Sequence, residues 1–304
     1  MPGVSNHDDS EPSSATVTFP LRGGVAVLTG AASGIGQALA LHLAREGCHL
    51  ALADRDAAGL ADTAARARVA GVTVTEHVLD VSDAAALAAL PAAVLAEHGR
   101  VTLLVNNAGV ALMGDFEQAT LDDFEWLFSI NFWGPVRLTR AFLPMLRAQG
   151  TAQIVNISSI FGIIAPAGQT AYSAAKFAVR GFSEALRHEL ETTGIGVSVV
   201  HPGGIKTAIA SSARVSAGID PADAARAATR FATTFITTAE QAAARIVTGI
   251  EKREKRILIG RDARLLDVFQ RLMPTGYWGL IRKRAGQRPR SSPERAVAQE
   301  QVHG

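Results

Sequence analysis

The 304-residue chain carries a formal charge of +2, with 48% hydrophobic and 19% charged residues. That is the balance of a globular protein with a substantial core, one large domain or two small ones, and nothing in it demands a nucleic acid partner. The lone cysteine, Cys48, excludes an internal disulfide and fits a reducing, cytoplasmic compartment. No apolar run approaches the roughly 18 residues needed to cross a bilayer. The polar opening, residues 1–20, lacks the basic-then-apolar order of a secretory signal and reads as a disordered leader.

From residue 25 the chain alternates apolar runs with helical patterns. Val25-Ala-Val-Leu-Thr29 is the continuous apolar run of a strand buried on both faces. It leads into Gly30-Ala-Ala-Ser33-Gly34-Ile35-Gly36 and then a helical stretch from Leu39 to Arg45. Glycines between strand and helix suit a tight turn, and exposed amides at the helix N-terminus attract a phosphate. The next run, His49-Leu-Ala-Leu-Ala53, ends in Asp54. An acid there accepts hydrogen bonds from a ribose 2′-hydroxyl and repels a 2′-phosphate, or else serves as a helix cap or loop acid. The first reading favours NAD over NADP; Arg55 argues the other way, and Ser33 is neutral. A third strand over residues 74–81 closes on Asp80-Val81. Residues 83–98 are helical in composition, but Pro91 predicts a kink or a division into two pieces. A fourth strand, Val101-Thr-Leu-Leu-Val105, runs into Asn106-Asn107-Ala108-Gly109, which either permits close approach of a cofactor or makes an ordinary Asx-Gly turn.

Residues 121–147 read as a long helical stretch, with the amide of Asn131 inside its apolar pattern, where it must find partners. Strands over residues 153–157 and 197–200 close on Ser158-Ser159 and on His201-Pro202-Gly203-Gly-Ile205-Lys-Thr207, and a short seventh covers Arg256–Ile259. Between them, residues 171–190 form a helix carrying Tyr172 and Lys176 four apart, on one face. A phenol of pKa about 10 is a poor base at neutral pH, and an ammonium beside it favours the phenolate. Strand and helix alternate throughout with long crossovers. The pattern predicts an α/β fold, a parallel sheet covered on both faces by helices, with ligands bound beyond the carboxyl ends of the strands.

In order along the chain these motifs resemble the classical short-chain dehydrogenase/reductase family, from about residue 24 to residue 259. Thr29-Gly-Ala-Ala-Ser-Gly-Ile-Gly36 is similar to its cofactor loop and Asn106-Asn-Ala-Gly109 to its strand-four motif. Tyr172 and Lys176 are similar to its Tyr-x-x-x-Lys pair, and Pro202-Gly203 with Ile205 and Thr207 to its nicotinamide-holding segment. Ser159, rather than Ser158, stands at the family's spacing before Tyr172, and Asn131 matches its fourth active-site residue. The resemblance implies a doubly wound Rossmann fold with a seven-stranded sheet, commonly a dimer or tetramer, and an NAD(P)-dependent oxidoreductase. It implies Tyr172 as general acid/base, Ser159 on the substrate oxygen, Lys176 on the phenolate and the nicotinamide ribose, and Asn131 holding a water. Cofactor contacts would fall at Gly30, Ser33, Gly34, Ile35, Gly36, Asp54, Arg55, Asp80, Val81, Asn107, Ala108, Gly109, Tyr172, Lys176, Pro202, Gly203, Ile205 and Thr207, with no metal. The alternative is a dinucleotide-binding redox sensor or scaffold of the same fold, a kind of protein that has usually lost one of the four catalytic residues.

The substrate pocket is expected between residues 110–116, 160–169 and 208–238. The second of these, Ile160-Phe-Gly-Ile-Ile-Ala-Pro166, is almost wholly apolar, and the third offers Phe231, Phe235 and Ile236 as a lid. Such walls predict a hydrophobic secondary alcohol or ketone. Arg214, Arg226 and Arg230 either hold a carboxylate or lie on solvated helix faces. Residues 265–283 set Tyr277 and Trp278 among apolar and basic residues. This fits a peripheral membrane contact, a helix folded over the pocket, or packing on the chain's own domain or a second subunit. Residues 21–262 read as one catalytic domain, 263–284 as a C-terminal helical extension, and 285–304 as a disordered tail.

Overall fold

The computed structural model describes residues 18–209, 211–220, 222, 226, 229 and 235–279. The leader up to residue 17, Arg230 and Phe231 of the expected pocket, residues 280–284 of the extension, and the tail lie outside them.

Seven parallel strands make one sheet: β1 (Val25–Thr29), β2 (His49–Asp54), β3 (Val74–Val78), β4 (Leu103–Asn106), β5 (Ala152–Ile157), β6 (Ile195–Pro202) and β7 (Arg256–Ile259). Their spatial order is β7-β6-β5-β4-β1-β2-β3. Successive side chains of a strand point to opposite faces, and here both faces are covered. Ala26 and Leu28 of β1 enter one core with helices α1 (Gly34–Arg45), α2 (Ala57–Arg68) and α7 (Ala239–Glu251), while Val27 enters the other. That second core holds α3 (Ala84–His98), α5 (Gly134–Arg147) and α6 (Thr170–Glu189). Burial on two sides is why the strands are legible as unbroken apolar runs. The Rossmann architecture expected from the sequence is therefore present, with Val27 registered on Ala51 of β2 and on Leu104 of β4.

The chain winds from β1 outward to β3, then returns across β1 to lay down β4. At that reversal the loops after β1 and β4 diverge, and ligands of doubly wound sheets bind there.

Two local expectations change. Pro91 does not divide its helix: α3 is one run of 15 residues. The missing proline amide removes one hydrogen bond, but Leu87, Leu90 and Val94 are buried on either side of it and hold both halves on the core. The stretch 121–147 is not one α-helix. α4 (Leu121–Phe128) opens with a capping box between Thr120 and Asp123, and a π-helical turn over Ser129–Trp133 separates it from α5. Gly134 donates to the Ser129 carbonyl five residues back, and Pro135 has no N–H to return to the Asn131 carbonyl in an α-helical turn.

Candidate active site

The turns after β1 and β4 are stitched together. Thr29 Oγ1 accepts from the backbone amides of Asn107 and Ala108, both at 3.1 Å. Asn107 Nδ2 donates to the carbonyls of Thr29 at 3.0 Å and Gly30 at 3.1 Å. Gly30 has a φ of 68°, and a Cβ there would lie 2.8 Å from Ala108 Cα. At Gly36 a Cβ would stand 1.8 Å from the Gly30 carbonyl oxygen, so the first turn of α1 packs directly on the strand end. Two of the motif's glycines are thus required by the protein's own packing before any ligand is considered. Ser33, exposed, caps α1 without a side-chain hydrogen bond, and Ile35 is half-buried beyond it.

Asp54 ends β2 with both oxygens engaged: Oδ2 accepts from Ala32 N at 2.9 Å and Oδ1 from Asp56 N at 3.0 Å. Arg55 is exposed. Asp80 lies two residues past the end of β3, where its Oδ1 accepts from the amide and hydroxyl of Ser82, and Val81 is buried against Gly134. Pro202 ends β6; Gly203 N donates to Ile259 O at 2.9 Å, and Gly204 N donates to Asp262 Oδ2 at 2.7 Å. Ile205 is buried, and Thr207 lies against Gly34. Every expected cofactor residue therefore lies at or just beyond the carboxyl end of a strand, apart from Tyr172 and Lys176 on α6.

The four expected catalytic residues come from three directions. Asn131, buried in the π-helical turn, is locked on the loop after β4: its Oδ1 accepts from Val110 N and its Nδ2 donates to Val110 O, each at 2.9 Å. A Cβ on Gly109 would lie 3.1 Å from Asn131 Oδ1 and 3.5 Å from Lys176 Nζ, which places those two groups around one small residue. Lys176 Nζ lies 5.6 Å from the centroid of the Tyr172 ring and donates to Ile157 O at 3.0 Å. Ser158 turns away from the site, donating to the backbone oxygen of Lys176 at 2.8 Å, while Ser159 Oγ accepts from Phe161 N at 3.1 Å and is a hydrogen-bond partner of Tyr172.

Burial sets the protonation of the pair. It pushes the Tyr172 phenol up to about 12, with the Ser159 hydrogen bond pulling the other way, and brings the Lys176 ammonium down to about 8. Among the protein's own groups desolvation outweighs any assistance from the lysine, so the phenol is protonated at neutral pH.

Two residues the motifs did not single out support this arrangement. His201, fully buried at the end of β6, has a ring pKa lowered to about 4 by burial and is neutral at physiological pH. Its Nδ1 therefore carries the proton and donates to the Ser159 carbonyl at 2.8 Å. Asp262, in the first turn of α8 (Arg261–Leu272), fills the space beside two glycines: Cβ atoms on Gly203 and on Gly260 would each come within 2.4 Å of its carboxylate. Its only signal in the sequence is the run of glycines that leaves room for it.

The pocket walls differ from expectation. A crevice beside Tyr172 is lined by Leu112, Asp115, Phe116, Phe124 and Gln169, so residues 110–116 and the end of 160–169 do face it. The isoleucines of the second segment do not supply its apolar wall. Ile160, Ile163 and Ile164 are buried against Ala263, Leu266 and Tyr277 of the C-terminal segment, and Tyr277 Oη accepts from Ala165 N at 2.9 Å. Their apolar character answers to that packing; Phe161 alone of the run turns to Tyr172, edge to face at 6.1 Å. Of the third segment, Phe235 is buried against Gly204 and Ile236 is exposed. Arg214 pairs with Asp123 at 3.2 Å and stacks 3.9 Å over the Trp126 ring, which accounts for it without a substrate carboxylate. Arg226 is exposed.

A family profile described as short chain dehydrogenase matches residues 24–217. A Mycobacterium tuberculosis protein named as an oxidoreductase, SadH, is 45% identical over 261 residues, covering 85% of this chain and 94% of its own. A short-chain dehydrogenase/reductase from Burkholderia phymatum, solved in complex with NAD, superposes with a TM-score of 0.78 at 31% identity, covering 90% of this chain and 99% of that one. One from Sphingobium yanoikuyae, in complex with NADPH, gives a TM-score of 0.69 at 31% identity with the same coverage of 90% and 99%.

Proposed function

The chain belongs to the short-chain dehydrogenase/reductase family and is an oxidoreductase; on that premise we propose that it interconverts a secondary alcohol and its ketone with NAD, using Tyr172 as general acid and base. The observation that carries this reading is a chain of contacts where the sheet reverses its winding: Asn131 and Lys176 meet around Gly109, Lys176 lies beside Tyr172, and Tyr172 is hydrogen-bonded to Ser159.

The residues present fit a dinucleotide. The open first turn of α1 offers amides to a pyrophosphate, and the small residues Ala108 and Gly109 leave the face of the loop clear above β4. When bound, an oxidised nicotinamide supplies the hydride acceptor and a positive charge. The protein's part is to hold and move one proton. In ketone reduction, Tyr172 enters in its protonated form and donates to the nascent alkoxide, while Ser159 Oγ donates to the same oxygen and sets its angle. In alcohol oxidation the phenolate must be reached, and the Lys176 ammonium favours it from the next turn of α6. Asn131 holds the loop over that lysine through Val110.

NAD is preferred to NADP because the carboxylate of Asp54 is fixed at the end of β2 by two amides, where it opposes a 2′-phosphate. For the substrate, Leu112, Phe116, Phe124 and Phe161 near Tyr172 favour an apolar body around the reacting carbon. The test is to mix purified protein with NAD and a panel of secondary alcohols of increasing apolar size and follow the absorbance of the reduced cofactor. Turnover rising with apolar size, and faster with NAD than NADP, is expected; no turnover in either direction with any of them overturns the reading.

A further inference from the structure

Helix α8 wears its amphipathic pattern inside out. Leu265, Val268 and Leu272 are 52%, 50% and 75% exposed. At spacings of three and four they form one stripe along the outer face. Met273, just past the helix end, is 40% exposed as well. The inner face is already occupied: Ala263 and Leu266 pack on Ile160, Ile163 and Ile164, and the two acids of the helix point inward as well. Asp262 holds Gly204, and Asp267, buried, pairs with Arg256 and Arg271. The exposed charged residues of the helix are therefore Arg261, Arg264 and Arg271, all positive, the last of them paired with Asp267. The sequence beyond continues the sign, with Arg282, Lys283, Arg284, Arg288 and Arg290 before the next acid, Glu294.

We propose that this outer face of α8 seats the protein on an anionic lipid surface. An apolar stripe flanked by arginines inserts shallowly at the boundary of headgroups and acyl chains, its guanidinium groups reaching lipid phosphates and carboxylates. The half-buried Trp278 follows Met273 by five residues in the chain and is a residue type suited to that boundary. Charge decides against a second copy of the chain as occupant. A two-fold contact would lay this patch on itself and bring three arginines of one copy against three of the other. This inference concerns the outer face only and stands apart from the catalytic reading.

The test is cosedimentation of the full chain with vesicles of phosphatidylcholine containing phosphatidylserine, and with vesicles of phosphatidylcholine alone, at low and high salt. Binding to the first, roughly tenfold weaker to the second and weakened by salt, is expected. The triple variant Leu265→Gln, Val268→Gln, Leu272→Gln should lose it, with circular dichroism and turnover unchanged. Should that variant unfold, Leu272→Gln alone, at the most exposed position, should weaken binding several-fold. Undiminished binding by the variants would assign the contact to the basic tail and overturn the proposal. So would a wild type that ignores both vesicles, or a triple variant that drops to a smaller assembly by light scattering, which would make the face a contact between copies.

Discussion

Lys176 Nζ reaches both ways across the site: it lies 5.6 Å from the centre of the Tyr172 ring and donates at 3.0 Å to the carbonyl of Ile157. One ammonium thus ties α6 to the end of β5 that carries Ser159, while remaining buried, where its charge is costly. Position and protonation are set by the same burial.

That burial has a sign in stability. The Lys176 pKa falls from 10.5 to about 8 on folding, so between those values the unfolded chain binds the proton and the folded chain does not. Stability therefore rises with pH across that window and is lost as pH falls through it. Against a Lys176→Met variant, the wild type should lose roughly 2–4 kcal/mol of relative stability from about pH 10.5 to pH 8. Denaturant unfolding of both proteins across the window checks it; a constant difference would mean that the ammonium is not desolvated.

The acid at the end of β2 is expected to choose the cofactor. Asp54→Asn keeps an acceptor oxygen for one of the two amides it now binds, from Ala32 and Asp56, and removes the charge. The ratio of kcat/KM for NADP to that for NAD should rise by about tenfold, the equivalent of about 1.4 kcal/mol. An unchanged ratio would move the discrimination elsewhere, with Arg55 the first alternative.

Asp262 is expected to act on the cofactor from outside its site. Its Oδ2 accepts the Gly204 amide, and its Oδ1 is buried without a partner among the described residues. Asp262→Ala should cost about 1–3 kcal/mol of stability and weaken NAD binding several-fold by loosening Gly203-Gly204. Asp262→Asn, which retains an acceptor, should restore most of the binding. Fluorescence titration with NAD separates the two effects: lost stability with intact affinity would make Asp262 a purely structural residue.

Much of the fold was legible because the central strands of the sheet had to be apolar on two faces, and the motifs sit where those runs end. The site was legible where it is local: Tyr172 and Lys176 declare their shared face by spacing alone. What escaped were partnerships made only in three dimensions. Asp262 meets Gly204 across 58 residues, and Tyr277 meets Ala165 across 112, with no period to betray either. The isoleucines of residues 160–166 misled for the same reason, since an apolar run looks alike whether it lines a pocket or lies under a helix. The π-helical turn at Asn131 was hidden because its neighbours keep a helical apolar pattern through the break, and only Pro135 hinted at it.

The proton-transfer role of Tyr172 is tested most directly by Tyr172→Phe, which removes one oxygen from a ring held in place by Phe161. Single-turnover hydride transfer and the dissociation constant for NAD should be measured on the same preparation. The rate should fall by roughly 10²–10⁴ with NAD affinity retained; a rate within a few-fold of wild type would contradict the assignment and leave the proton to another group.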